Sequence, residues 1–267
     1  MTRIGKIHGG LAMGLALAWA APALAAEEGT TPAADTRGAV PVVGYAYNLS
    51  ATTGPSVGAQ AYGLGLAGPG KSLAGGGGGM AWGSLERLTL IADASRDLNG
   101  NLAPTGAILV RVLGAAGDGW SLGALGKVQR SGFGLEPAHT ADSATEMEPE
   151  ADVGAVLSFA SLGWHLDLNA IGGVGLGDDS DVDAETRARF GRDIARWLRV
   201  GLDGEARFRL TGPKVLPGGR TWDFAGGPQL FAGSNHFFAS LTTGPATMNL
   251  ASGVGWTGIV SFGGTTL

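Results

Sequence analysis

The feature that most constrains this chain is a run, Arg199 to Leu210, in which side chains alternate in character. Val200, Leu202, Ala206, Phe208 and Leu210 fall on one side, and Arg199, Asp203, Glu205, Arg207 and Arg209 on the other. On a strand successive side chains point to opposite faces, so the segment has one apolar face and one charged face. On a helix the same residues would scatter charge all the way round. Two preceding segments repeat the pattern. Trp164, Leu166, Leu168 and Ala170 alternate with His165, Asp167 and Asn169. Val182, Ala184, Ala188 and Phe190 alternate with Asp183, Glu185, Arg187 and Arg189. The last of these has the Ala, Glu and Arg content of a helix. Strict alternation that continues into the next segment favours strand.

A weaker period of two fills the remainder. The expected strands are 42–48, 57–66, 85–95, 104–113, 119–130, 151–160, 163–176, 181–192, 197–210, 221–232, 236–243 and 253–263. That makes the fold all-β, with about 12 strands (10–12). No repeat of 20–50 residues stands out, which disfavours a propeller or solenoid. No domain boundary is visible between residues 40 and 267.

The beginning of the chain reads differently. Arg3, Lys6 and His8 precede an apolar run from Leu11 to Leu24, and Ala23-Leu24-Ala25 has the small-x-small pattern of a cleavage site. Residues 1–25 are therefore expected to be a cleaved secretory signal peptide. Residues 26–40, rich in Glu, Gly, Thr, Pro and Ala, are expected to be a flexible mature N-terminus, with 41–267 forming the folded domain.

Composition narrows the function. Without Arg3 and Lys6 the chain keeps 16 basic against 23 acidic residues, a net of −7. That argues against a nucleic-acid surface, which needs a basic stripe. With no cysteine, disulfides, thiolate metal sites and a lipoprotein anchor are all excluded. No apolar run beyond the signal reaches the ~20 residues a membrane helix needs. If the mature chain enters a bilayer, it must do so as a closed barrel, because lipid offers no partner to an open strand edge.

Taken together, the export signal, alternating strands of about ten residues, lack of cysteine and acidic loops resemble the Gram-negative outer-membrane β-barrel proteins. The resemblance covers about residues 40–267 and is one of pattern, with no specific family. It implies a closed, antiparallel, up-and-down transmembrane β-barrel in the bacterial outer membrane. The implied partners are outer-membrane lipid and the barrel-assembly machinery. Such barrels alternate short periplasmic turns with longer outer loops. With both termini periplasmic, the inner turns become 114–118, 161–162, 193–196 and 233–235. The outer links become 48–56, 95–103, 131–150, 177–180, 211–220 and 244–252. One connection departs from the rule: 67–83, containing Gly75–Gly79, is a long inner link. The final strand alternates Val254, Trp256, Gly258, Val260 and Phe262, but the chain ends on Leu267 where such barrels commonly end on an aromatic residue.

In this reading the apolar faces meet lipid and the charged faces meet the lumen. His165, Asp167, Asp183, Glu185, Arg187, Arg189, Arg199, Asp203, Glu205, Arg207 and Arg209 are the expected lumen network. A charge facing lipid at mid-bilayer would cost roughly 2–4 kcal/mol, which is the physical reason for such segregation. The mixed signs favour internal ion pairing over a single-sign ion filter. Trp164, Trp197, Trp222, Phe237, Trp256 and Phe262 lie near expected strand ends, where amphipathic rings suit a membrane interface. Ordinary core packing is the alternative for these rings.

Other motifs carry less. Asp179, Asp181 and Asp183 match the first positions of a calcium loop, but Ala184 and Phe190 stand where its glycine and glutamate belong. A solvated acidic loop accounts for them better. There is no G-x-S-x-G and no H-E-x-x-H, and His139, His165 and His236 sit in no catalytic pattern. Gly75–Gly79 lacks the Lys and Ser/Thr of a phosphate loop. Asn48-Leu49-Ser50 matches a glycosylation acceptor, a pattern common by chance. No cofactor or metal is expected.

Three functions remain. The first is an integral outer-membrane barrel, structural or a small-solute pore. The second is a barrel enzyme acting on lipid or a surface substrate. The third is a soluble, exported, lipocalin-like carrier. The carrier would reverse the faces, with apolar residues in and charged residues out. Alternation alone is blind to that sign.

Overall fold

The computed structural model describes residues 46–47, 56–69, 71–96, 102–114, 119–130, 149–176, 182–211, 221–233, 236–247, 250 and 253–266. The chain divides into two units, Met1–Ala34 and Asp35–Leu267, and the first lies outside the described residues. So do the signal segment, the links 97–101, 131–148 and 212–220, the run Asp178 to Asp181, His139 and Leu267.

The second unit holds twelve strands: β1 (Ser56–Gly68), β2 (Lys71–Ser84), β3 (Leu88–Arg96), β4 (Leu102–Gly114), β5 (Gly119–Arg130), β6 (Pro149–Ser161), β7 (Trp164–Gly175), β8 (Val182–Ala195), β9 (Leu198–Thr211), β10 (Trp222–Gly233), β11 (Phe237–Ala246) and β12 (Gly255–Thr266). Each pairs antiparallel with its sequence neighbours, and β12 pairs with β1 from Val57↔Thr266 to Ala67↔Trp256, closing the barrel. Closure gives every strand edge a partner, which an open sheet in lipid could not have. Among the described residues no helix is long and apolar enough to cross a membrane, which says nothing of strands.

Twelve strands were expected, but one of them was misplaced. Ala46 and Tyr47, inside the expected strand 42–48, are not in a strand. The missing strand is β2, in the segment read as a long inner link. Alternation cannot mark a strand whose centre is Gly75 to Gly79. The sheet itself accounts for two of these glycines. A Cβ on Gly77 would sit 2.6 Å from the Tyr62 carbonyl oxygen of β1, and one on Gly78 would sit 2.6 Å from the Ala94 carbonyl oxygen of β3. The backbones on both sides approach too closely for any side chain.

Restoring β2 replaces the long inner link with a strand and a short link, 85–87. Links at the end where β1 begins are 85–87, 115–118, 162–163, 196–197 and 234–236. Apart from 69–70 and 97–101, links at the other end are longer: 131–148, 176–181, 212–221 and 247–254. In the 162–163 turn both residues have positive φ, Leu162 at 50° and Gly163 at 76°. That backbone twist matches the twist of the two strands it joins. The β8–β9 turn is 196–197, one step beyond the expected 193–196, which returns Asp193 to the strand and puts Trp197 in the turn.

Candidate functional site: the charged wall of the barrel interior

Residues of alternating burial line each strand. On β8, Asp183, Glu185, Arg187 and Arg189 are buried, whereas Phe190 and Ile194 are exposed. On β9, Arg199, Asp203 and Arg207 are buried, and Leu202, Phe208 and Leu210 are exposed. Glu205 and Arg209 share the inward face and are partly buried. His165, Asp167 and Asn169 of β7 are also buried, as are Asp152 of β6 and Lys127 of β5. Charged side chains thus point into the barrel across β5 to β9.

Register explains why they can coexist there. The β8–β9 ladder sets Asp183 opposite Arg209, Glu185 opposite Arg207, Arg187 opposite Glu205, Arg189 opposite Asp203 and Asp193 opposite Arg199. Every one of these cross-strand pairs is of opposite sign, the arrangement in which facing side chains attract. The β7–β8 ladder adds Asp167 opposite Arg189 and Asn169 opposite Arg187. A one-residue slip would turn the whole set outward.

Side-chain geometry ties the pairs into three groups. Near the turn end, Asp193 takes Arg199 Nε at 2.8 Å on one oxygen, and His165 Nε2 lies 2.9 Å from the other. At mid-depth, Arg187 donates to Glu185 from Nη2 at 2.6 Å and Nε at 3.1 Å, with Glu205 3.4 Å away. Arg189 lies 3.6 Å from Asp203, which also accepts from Gln229 Nε2 at 3.1 Å. Toward the long-loop end, Arg207 binds Asp183, through Nε at 2.7 Å and also through Nη2, and reaches Glu150 at 3.4 Å. Lys127 and Asp152 form a buried ion pair at 2.6 Å, and Ser158 donates to Asp167 at 2.6 Å. Removing one partner of a buried pair strands the other, a cost of about 3–5 kcal/mol. The charge of this wall is therefore largely paired internally.

All eleven charged residues singled out from sequence lie on this one inward wall. Lys127, Asp152 and Asp193 were not singled out. Lys127 and Asp152 each share a weakly patterned strand with one other charge, Arg130 and Glu150, and Asp193 falls in an expected turn. The alternation of β5 and β6 held the signal at low amplitude.

The opposite wall, from β10 through β12 to β2, departs from the simple rule that apolar faces meet lipid. Tyr62, Leu64, Leu66, Met80, Trp82, Phe231 and Phe238 are buried inside as one cluster. The outward residues of β1 include Ala59, Ala61 and Ala67, and those of β2 include Gly79 and Ala81. Large side chains such as these fill much of the interior here. Phe231 stacks on Phe238 at 5.9 Å between ring centroids, and Trp82 tilts against Phe238 at 6.3 Å. A second polar patch lies on β1–β3, where the Tyr62 hydroxyl lies 3.0 Å from both oxygens of Asp93.

The aromatic residues named from sequence are on the exterior at strand ends. Trp197 and Phe237 are exposed near the short-turn end, with Phe262 further along β12, and Trp222 and Trp256 are exposed near the other end. Trp164, partly exposed, stacks on Phe190 at 5.1 Å and carries the Arg192 guanidinium 4.8 Å above its ring. Trp120 and Phe159, packed at 4.7 Å near the same end, extend the set. Among the described residues no group of three or more metal-ligating side chains is placed to hold an ion.

Comparison with known proteins gives fold and nothing finer. No family model matches, and no curated protein matches. Among solved structures, the NanC porin is similar at TM-score 0.59 and 7% identity, over 78% of this chain and 100% of that one. The translocator domain of the autotransporter NalP from Neisseria meningitidis aligns over 81% of this chain and 92% of that one, at 15% identity and TM-score 0.40. The chain has the fold of the outer-membrane β-barrel proteins: closed, antiparallel and twelve-stranded.

Proposed function

We propose that the protein is an integral outer-membrane β-barrel with an ion-paired lumen, serving as a structural barrel or a narrow small-solute pore. One observation carries the reading: the sign of the two faces. Leu90, Ile108, Val128, Leu202, Leu230 and Val260 are exposed on strand exteriors, while carboxylates and guanidiniums are buried within. Soluble monomers rarely expose contiguous apolar surface on such a scale. A soluble carrier would invert both faces, so this arrangement disfavours that alternative. The paired charges of β5 to β9 favour a filled lumen over a single-sign filter.

Residues 1–25 would direct export and be cleaved. The short turns and both ends of the mature chain would face the periplasm, with the longer links outside. The exposed rings at the two strand ends would sit at the two interfaces. Fractionation tests the reading. The protein is expected to remain with outer membranes after high-salt and carbonate washing and to migrate heat-modifiably on gels. Recovery in the soluble periplasm would overturn it.

A further inference from the structure

The segment ahead of β1 reaches into the barrel. The Ala46 amide donates to Asp203 Oδ1 at 3.4 Å, on β9. The Tyr47 amide donates to Asn169 Oδ1 at 2.6 Å, and Asn169 Nδ2 donates back to the Tyr47 carbonyl at 3.1 Å. One carboxamide thus satisfies both backbone groups of a single residue, and Ala46 is 3% exposed. The Tyr47 ring lies 5.5 Å beneath the Arg187 guanidinium and also packs against the apolar cluster of the barrel interior.

Depth and connectivity agree. Asn169 and Asp203 lie five residues into β7 and β9 from the end where β1 starts. The chain between Tyr47 and Ser56 can span up to ~30 Å, enough to return to that end.

From this geometry we propose that the charged wall contains a binding site for polypeptide backbone, built from Asn169, Asp203 and Arg187. The chain's own Ala46-Tyr47 occupies it as a plug at mid-barrel. Recognition is through peptide N–H and C=O groups, which any sequence offers, plus one ring under a guanidinium. Buried backbone groups need such partners, and here side chains of the wall supply them. The site also explains why Asn169, neutral, stands at a position flanked by Asp167 and Arg187: a carboxylate could accept from the peptide but could not donate to it.

The inference adds an occupant to the barrel reading above, but its test uses detergent-folded protein. Its failure therefore leaves the fractionation result untouched. The full chain has no cysteine, so introduced thiols are the only ones present. Tyr47→Cys combined with Ile171→Cys, the next inward position of β7, which leaves Asn169 in place, is treated with a short bifunctional thiol reagent. An intramolecular product is expected. Tyr47→Cys with Ala170→Cys, whose partner position faces outward, is expected to give none. No product from the first pair in a heat-modifiable barrel, or equal product from both, would overturn the proposal. The single variant Tyr47→Cys leaves the barrel wall intact and guards against misfolding. Its thiol is expected to react slowly with a bulky maleimide polymer until the barrel is heat-unfolded. Adding Asn169→Ala removes both hydrogen bonds and is expected to speed labelling of the folded barrel roughly 30-fold, about fivefold per bond. An unchanged rate would sink the idea.

Discussion

The two walls of the barrel solve the same packing problem with different chemistry. Across β5 to β9 the interior is filled by ion pairs such as Arg207–Asp183 and Lys127–Asp152. Across β10 to β12 and into β2 it is filled by rings and aliphatic groups, with Phe238 between Trp82 and Phe231, interspersed with polar groups such as Gln229, Ser240 and Thr242. Outside, the charged wall carries large apolar residues such as Leu202 and Phe208, whereas β1 and β2 carry alanine and glycine. The difference teaches that burial within a barrel is set by the pleat, and that residue chemistry follows only where an error would be costly. A charge must be inside, since lipid penalises it heavily; a leucine is tolerated on either face.

The largest test of this contrast is Arg207→Ala. It strands Asp183, and unfolding in urea-treated liposomes should show a loss of about 3–5 kcal/mol. A change below about 1 kcal/mol, the value of an exposed pair, would mean the wall is well hydrated. Next is Leu241→Arg, at mid-strand on the exterior of β11. It should cost roughly 2–4 kcal/mol in a bilayer. Gly78→Ala comes third. Its methyl would press on the Ala94 carbonyl oxygen, and overpacking of that kind costs about 1–3 kcal/mol, read as a lower urea midpoint. The smallest effect is expected from Ser240→Ala. Its hydroxyl shares one neutral hydrogen bond with Ser261 at 2.7 Å, worth about 1 kcal/mol. An equal loss from Ser240→Ala and Arg207→Ala would erase the distinction between the walls.

These walls also differed in how well the sequence revealed them. Strands β7, β8 and β9 were legible because Asp183 to Arg189 and Arg199 to Arg209 alternate a charge with an apolar group. That is the largest swing a residue pair can make. β2 was invisible because glycine has no side chain to alternate, and the close approach that requires Gly77 and Gly78 exists only once β1 and β3 are in place. The inward set of charged residues was legible as a set, but its partnerships were not. Whether Arg187 meets Glu185 or Glu205 depends on register and rotamer, and neither is written in a single strand. The contact of Tyr47 with Asn169 spans 122 residues, and an isolated strand-like stretch near 42–48 gave no hint of it.

The central claim is the sign of the faces, and β11 tests it with least disturbance because it carries no charge. Single cysteines would be placed in turn at residues 238 to 243, labelled with a small fluorophore, and the barrel reconstituted with brominated lipid. Quenching is expected at 239, 241 and 243 and not at 238, 240 and 242. Quenching at the even positions, or uniform quenching along the strand, would contradict a barrel that turns its apolar face to lipid.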